Sequence, residues 1–180
     1  MGLSYDVVKL VAYRKEWAEK FIYEAELIAD LTGIEKAKIR HIGSTSVPGM
    51  IAKPILDIMI EVNKIDDIIK FIPSLDEIGY RFFGECGRPG RMFFVKGKPS
   101  NCTHHLHVME KGSIYWKNNI RFKELLINKP DLAVSYAKVK RNLASKYPYN
   151  REEYRINKSK FIEKILNTYH EDTIHDRPLW

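Results

Sequence analysis

Apolar positions recur at helical spacing over residues 14–31, where Trp17, Phe21, Ala25, Ile28 and Leu31 fall on one face. Gly33 follows as a C-terminal cap. Residues 38–42 predict a short strand. Residues 56–62, rich in β-branched and apolar side chains, predict a second. Residues 65–78 read as a helix stopped by Gly79. Strands at 80–83 and 92–96 flank the turn "GECGRPG", and "GKPSN" marks another turn before an alternating strand at 104–109. The last third changes texture, with helices predicted at 113–128, 130–146 and 151–170. Their core stripes are Trp116, Ile120, Phe122, Leu125 and Leu126, then Tyr136, Val139 and Leu143, then Tyr154, Phe161, Ile162, Ile165 and Tyr169. Arg121 and Lys123 are expected on the exposed side of the first. Pro130 suits a first helical turn, and Pro148 separates the last two helices. Strands in the middle with helices at both ends predict an α+β fold. The expectation is one domain over residues 1–180, with a mixed, mostly antiparallel sheet of about five strands and a helical layer over residues 112–170.

Composition narrows this picture modestly. A chain of 180 residues that is 44% hydrophobic can bury a substantial core. No apolar run approaches the roughly 20 residues of a membrane span, and "MGLSYDVVKL" lacks the pattern of a signal peptide. A soluble cytoplasmic protein is expected. Cys86 and Cys102 are too few for a disulfide scaffold and are expected as free thiols. A formal charge of +7 favours an anionic partner, a nucleotide or another phosphorylated small molecule. Nucleic acid ranks second, because no arginine-rich run or tandem basic-aromatic motif is present. His170 and His175 belong to a segment, "HEDTIHDRPLW", that reads as a loose terminus.

Two stretches carry candidate chemistry. In "HIGSTSVPGMIAKPILDIMIEV", residues 41–62, a lone acid interrupts an apolar run. A buried carboxylate is costly without a partner, so Asp57 either accepts hydrogen bonds from its surroundings or serves a ligand. The preceding turn, Gly43-Ser44-Thr45-Ser46, is small enough for backbone N–H groups and hydroxyls to approach an anion. Local hydrogen bonding within the turn is the plain alternative. An acid beside such a turn can hold a divalent cation that binds phosphate oxygens, with Lys53 and Arg40 adding positive charge. Strand alternation puts Asp57, Met59 and Glu61 on one face.

In "THHLHVME", His105 and His107 share a face, opposite His104, Leu106 and Val108. Two imidazoles at this spacing can bind one transition metal, and with Asp57 they complete a mixed site if the two strands are neighbours. Such donors favour zinc, manganese or nickel over magnesium. Without a metal, His107 can bind phosphate or act as general acid-base. His104 reads as a packing residue. Cys102 has no C-x-x-C partner, which weakens a zinc site built on it.

The Gly43-Ser44 turn followed by Asp57 resembles the nucleotidyltransferase superfamily, in which two carboxylates one residue apart hold magnesium and a nucleoside triphosphate. Here the second carboxylate position falls on Met59. Glu61 lies roughly 13 Å from Asp57 along an extended strand, too far to replace it without a bulge. The whole stretch "HIGSTSVPGMIAKPILDI", with "HHLHV", "FKELL", "YAKVK", Lys158 before Phe161-Ile162, and Trp17, resembles the GrpB family. The resemblance implies a nucleotidyltransferase-like fold and a nucleotide at Gly43, Ser44, Thr45 and Ser46. It implies a divalent metal (magnesium, manganese or zinc) at Asp57, His105 and His107. Lys140 and Lys158 recur at fixed places in the family pattern and join Lys53 as implied phosphate partners. Asp57 and His107 would act in catalysis. Met59 in place of the second carboxylate leaves open a first alternative, a non-catalytic ligand-binding module. The domain also resembles one fused behind dephospho-CoA kinase, which implies a second, a folding or assembly accessory with a protein partner.

Overall fold

A computed structural model describes residues 1–169. Helix α1 (Glu16–Thr32) buries Trp17, Ala25 and Ile28 as its apolar spacing requires. A five-stranded sheet follows from β1 (Ile39–Ile42), β2 (Leu56–Val62), β3 (Tyr80–Phe82), β4 (Arg91–Lys98) and β5 (Asn101–Glu110). Its order is β1-β2-β5-β4-β3. The β2–β5 pairing is parallel and the others antiparallel, so the sheet is mixed and mostly antiparallel. The chain is α+β with a nucleotidyltransferase-like architecture, its helical last third built from α3 (Ile114–Asn128), α4 (Pro130–Lys146) and α5 (Arg151–Thr168).

The stretch at 65–78 is not one helix. Ile65–Phe71 winds as a 3-10 helix, and α2 (Ile72–Glu77) begins afresh with Pro73 in its first turn. Proline is accepted there because its missing N–H has no partner to lose at a helix start.

The two sheet faces differ in kind. One packs Ile58, Ile60, Phe94, Leu106 and Val108 against Trp17, Ala25 and Ile28 of α1. Glu24 is buried there, accepts from Lys96 Nζ at 2.7 Å and lies 3.9 Å from His104 Nε2. His104 is therefore a packed core histidine on this face. The opposite face carries Asp57, Met59 and Glu61 beside His105 and His107. Met59 is sealed in an apolar cluster with Ile42, Met109, Trp116 and Ile120. Glu61 is buried two residues further on, accepting from Arg40 Nε at 3.1 Å and Trp116 Nε1 at 3.0 Å. It is thus held away from Asp57.

The helical layer also fixes the Gly-Ser turn. Val47 and Met50 pack with Leu125, Leu126, Leu132, Tyr136 and Leu166. The exposed placement expected for Arg121 and Lys123 is corrected here. Lys123 donates to the His41 carbonyl at 2.9 Å, and Arg121 buries two of its nitrogens. Lys123 stands three residues from both Ile120 and Leu126, so it shares their inward face. Cys86 is exposed and Cys102 buried, both as free thiols. No helix among the described residues is long and apolar enough to cross a membrane. His170 and His175 lie outside the described residues.

Candidate functional site

The parallel pairing of β2 with β5 sets Asp57 opposite His105 and Met59 opposite His107. Paired residues present their side chains to the same face, so the acid and both imidazoles converge. Asp57 Oδ1 lies 2.9 Å from His105 Nδ1 and 3.6 Å from His107 Nε2. Burial would push the Asp57 carboxyl up, but hydrogen bonds from the two histidines outweigh it and hold it well below the usual carboxylate range. Burial also pushes His105 down to about 4, against the pull of Asp57. The same cause lowers His107. At neutral pH the site is a carboxylate between two neutral rings.

The Ser44–Ser46 stretch winds as a single 3-10 turn after Gly43. Gly43 has φ 70° and ψ −171°, a region essentially reserved for glycine. A Cβ there would stand 2.5 Å from Asp57 Oδ2, so the turn and the carboxylate touch directly. Thr45 faces inward, its hydroxyl 2.9 Å from His41 Nε2, and Ser46 Oγ closes the turn onto the Gly43 carbonyl at 2.7 Å.

The three lysines occupy different places. Lys140 is 1% exposed and sits behind the turn. Its ammonium donates to Ser44 Oγ at 3.0 Å and to the Ile51 carbonyl, and lies 4.5 Å over the Tyr136 ring. Burial, then Lys158 and Arg141, push it down to about 6. It braces the turn rather than lining the open side. Lys53 and Lys158 flank the Tyr154 ring at 5.7 and 5.8 Å. Both feel the charge of Asp57. Lys53 is pushed down to about 7 by burial and then by Arg151 and Lys158.

Three arginines complete the site, and the sequence reading missed them. Arg151, the first residue of α5, places Nη2 3.1 Å from His105 Nε2. Arg91, on β4, places Nη1 3.4 Å from His107 Nδ1 while its other nitrogens donate to the Glu85 and Cys86 carbonyls. Arg88 adds charge near Lys158 and His107. Arg91 directly follows the Pro89-Gly90 turn on a strand, which was the one available signal. Arg151 looked like an ordinary helix-start residue.

The donor set fits a cation. The ligand atoms of Asp57, His105 and His107 lie within 4.8 Å of one another, and two imidazoles with one carboxylate suit zinc or manganese. Two surface hollows, about 370 Å³ beside Glu24 and His104 and about 590 Å³ beside Arg81 and Lys98, contain none of these three residues. Asp57 and the two histidines lie instead between the Gly43 turn and the basic side chains Arg151 and Lys158 of α5.

Residues 7–168 match the family model described as GrpB protein. The chain belongs to the GrpB family. Among its relatives, UPF0157 protein YqkA of Bacillus subtilis is 37% identical over 156 residues, which are 87% of this chain and 45% of that protein. This chain therefore spans less than half the length of that relative. Glutamate-rich protein GrpB of Alkalihalophilus pseudofirmus is 33% identical, with 93% of this chain and 98% of that protein covered. The crystal structure of conserved protein GrpB from Enterococcus faecalis aligns with TM-score 0.78 and 30% identity over 91% of this chain and all of that one. A structure of Cid1 in complex with its short product ApU aligns with TM-score 0.50 at 10% identity, over 74% of this chain and 42% of that one, and supports the shared fold alone. The nucleotidyltransferase-like fold and the GrpB family membership thus agree.

Proposed function

We propose that the chain binds a nucleotide by its phosphates in the recess beside the Gly43–Ser46 turn, together with one divalent cation on Asp57, His105 and His107. The observation that carries this reading is the convergence of the three donor atoms within 4.8 Å beside the turn, ringed by lysine and arginine charge. Arg151, Lys53 and Lys158 would neutralise phosphate charge, and the turn would admit a phosphate oxygen close to the backbone. The cation would supply positive charge opposite those oxygens. The reaction class that suits such a recess is nucleotidyl transfer to a small or protein acceptor.

One observation favours a second reading, in which the ligand is bound without transfer. Met59 is 0% exposed and surrounded by apolar side chains, so the position of a second acid is closed. Two-metal chemistry lacks its second carboxylate here.

The test is thermal stability against nucleoside triphosphates with magnesium, manganese or zinc, in the native chain and in Asp57→Ala. A ligand at 100 times its Kd stabilises the folded state by about 2.7 kcal/mol. For a chain of this size that is roughly 5–10 °C in Tm. The expected result is a metal-dependent shift of this order that Asp57→Ala abolishes. An identical shift in Asp57→Ala, or no shift with any nucleotide, would overturn the proposal. Transfer of α-phosphate label to an acceptor then separates the enzyme from the binding module.

A further inference from the structure

We propose that Arg151 is a latch on the cation site: its guanidinium holds His105 in the tautomer that faces an N–H toward Asp57, and it yields that hold to a ligand phosphate, so that cation and phosphate are taken up together. This rests on the reading of the recess as a site for both. A guanidinium can only donate, so the His105 Nε2 that faces Arg151 Nη2 at 3.1 Å must accept. The ring proton is then on Nδ1, directed at Asp57 Oδ1 at 2.9 Å. Both contacts agree on one tautomer.

A cation needs the opposite one. It takes the Nδ1 lone pair, which moves the proton to Nε2, where it would oppose the guanidinium N–H. Histidines that hold metals normally give the outer N–H to an acceptor, and Arg151 offers none. Cation and latch therefore compete for the orientation of one ring.

The two arginines differ in how firmly they are held. Arg91 donates to the Glu85 carbonyl through two nitrogens and to the Cys86 carbonyl through one, so it stays in place beside His107. Arg151 approaches His105, lies 5.9 Å over the Tyr5 ring and meets the Cys102 thiol, so no carbonyl or carboxylate among these contacts anchors it as Glu85 and Cys86 anchor Arg91. A planar fork at the start of α5 suits a phosphate, whose oxygens match two of its N–H groups. A phosphate that draws Arg151 away frees Nε2 to turn toward another acceptor and Nδ1 to face a cation.

The experiment compares the native chain with Arg151→Gln, whose side-chain carbonyl can accept from Nε2–H. Nitrogen-15 spectra of the histidine rings report the tautomers, cobalt(II) absorption reports cation uptake, and calorimetry with inorganic pyrophosphate in chelator reports the anion. The expected results are an Nδ1–H tautomer for His105 in the native chain, cobalt binding tightened on the order of tenfold in Arg151→Gln, and weakened pyrophosphate binding. An Nε2–H tautomer in the native chain, or cobalt affinity unchanged or reduced in Arg151→Gln, would overturn the latch. If both proteins bind pyrophosphate and neither binds cobalt, the latch fails and the phosphate reading stands. If the native chain binds neither, both fail.

Discussion

Lowering the pH from 7 to 4 unfolds the protein in a steep transition. Three histidines drive it, His41 and His104 buried and His105 half-buried. Burial pushes His41 down to about 3 from an ordinary 6.5, with Lys123 acting in the same direction. Burial likewise pushes His104 and His105 down to about 4. Each group binds its proton more weakly in the folded chain than in the unfolded one. The stability they lend is therefore complete above pH 6.5 and is lost as pH falls toward 4 and then 3. Each histidine loses about 1.4 kcal/mol per pH unit inside its window. Three acting together lose on the order of 4 kcal/mol per unit, and a typical domain has only about 5–15 kcal/mol. Asp57 acts in the same direction lower down, because its pKa is held below 3.8. Lys140, pushed from 10.5 to about 6, acts higher up and makes stability rise with pH over that range. Circular dichroism melts from pH 9 to pH 4 check the slope. The His41→Asn variant, which keeps a polar group near Thr45 but cannot take the proton, shows a shallower fall. A Tm that stays level between pH 7 and 4.5 contradicts the account.

Gly43→Ala costs both stability and ligand binding. The backbone conformation at this position costs a side-chain-bearing residue about 1–3 kcal/mol. The added Cβ then meets Asp57 Oδ2 at 2.5 Å, Cβ at 3.0 Å and Cγ at 3.1 Å. Asp57 is short and bonded to His105, so it cannot swing aside and keep its partner. Together these effects predict a loss of about 2–4 kcal/mol and disappearance of any nucleotide-dependent Tm shift. Urea unfolding of Gly43→Ala, Asp57→Ala and the double variant separates the two contributions. The double variant removes the contacts with Oδ2 and Cγ and keeps only the 3.0 Å approach of Cβ, so its loss is smaller than the sum of the single losses. Simple additivity would show that the side chains do not compete for the same space.

The elements of the fold were legible because their signals are local. Trp17, Ala25 and Ile28 repeat at helical spacing and are buried where that spacing puts them. The Gly43 turn and the alternation of His105 and His107 were legible for the same reason. The adjacency of β2 and β5 was not, since Asp57 and His105 are 48 residues apart and their strands pair in parallel across intervening elements. Charged residues that point inward were the other blind spot. Lys123 carries a polar label on an apolar face and finds a carbonyl there. Lys140 stands four residues after Tyr136 in α4 and is buried with it against Ser44, a placement its charge does not announce. Arg91 and Arg151 have the composition of a solvated surface, and only the three-dimensional placement of their strand and helix brings them to the histidines.

The apolar enclosure of Met59 limits how this site can be re-engineered. Replacing Met59 alone by aspartate would create a pair of acids one residue apart, but it would set a charge among Ile42, Met109, Trp116 and Ile120. An unpaired carboxylate in such surroundings costs several kcal/mol. A second acid at this position thus demands coordinated replacement of its apolar neighbours, so the site cannot be converted one residue at a time.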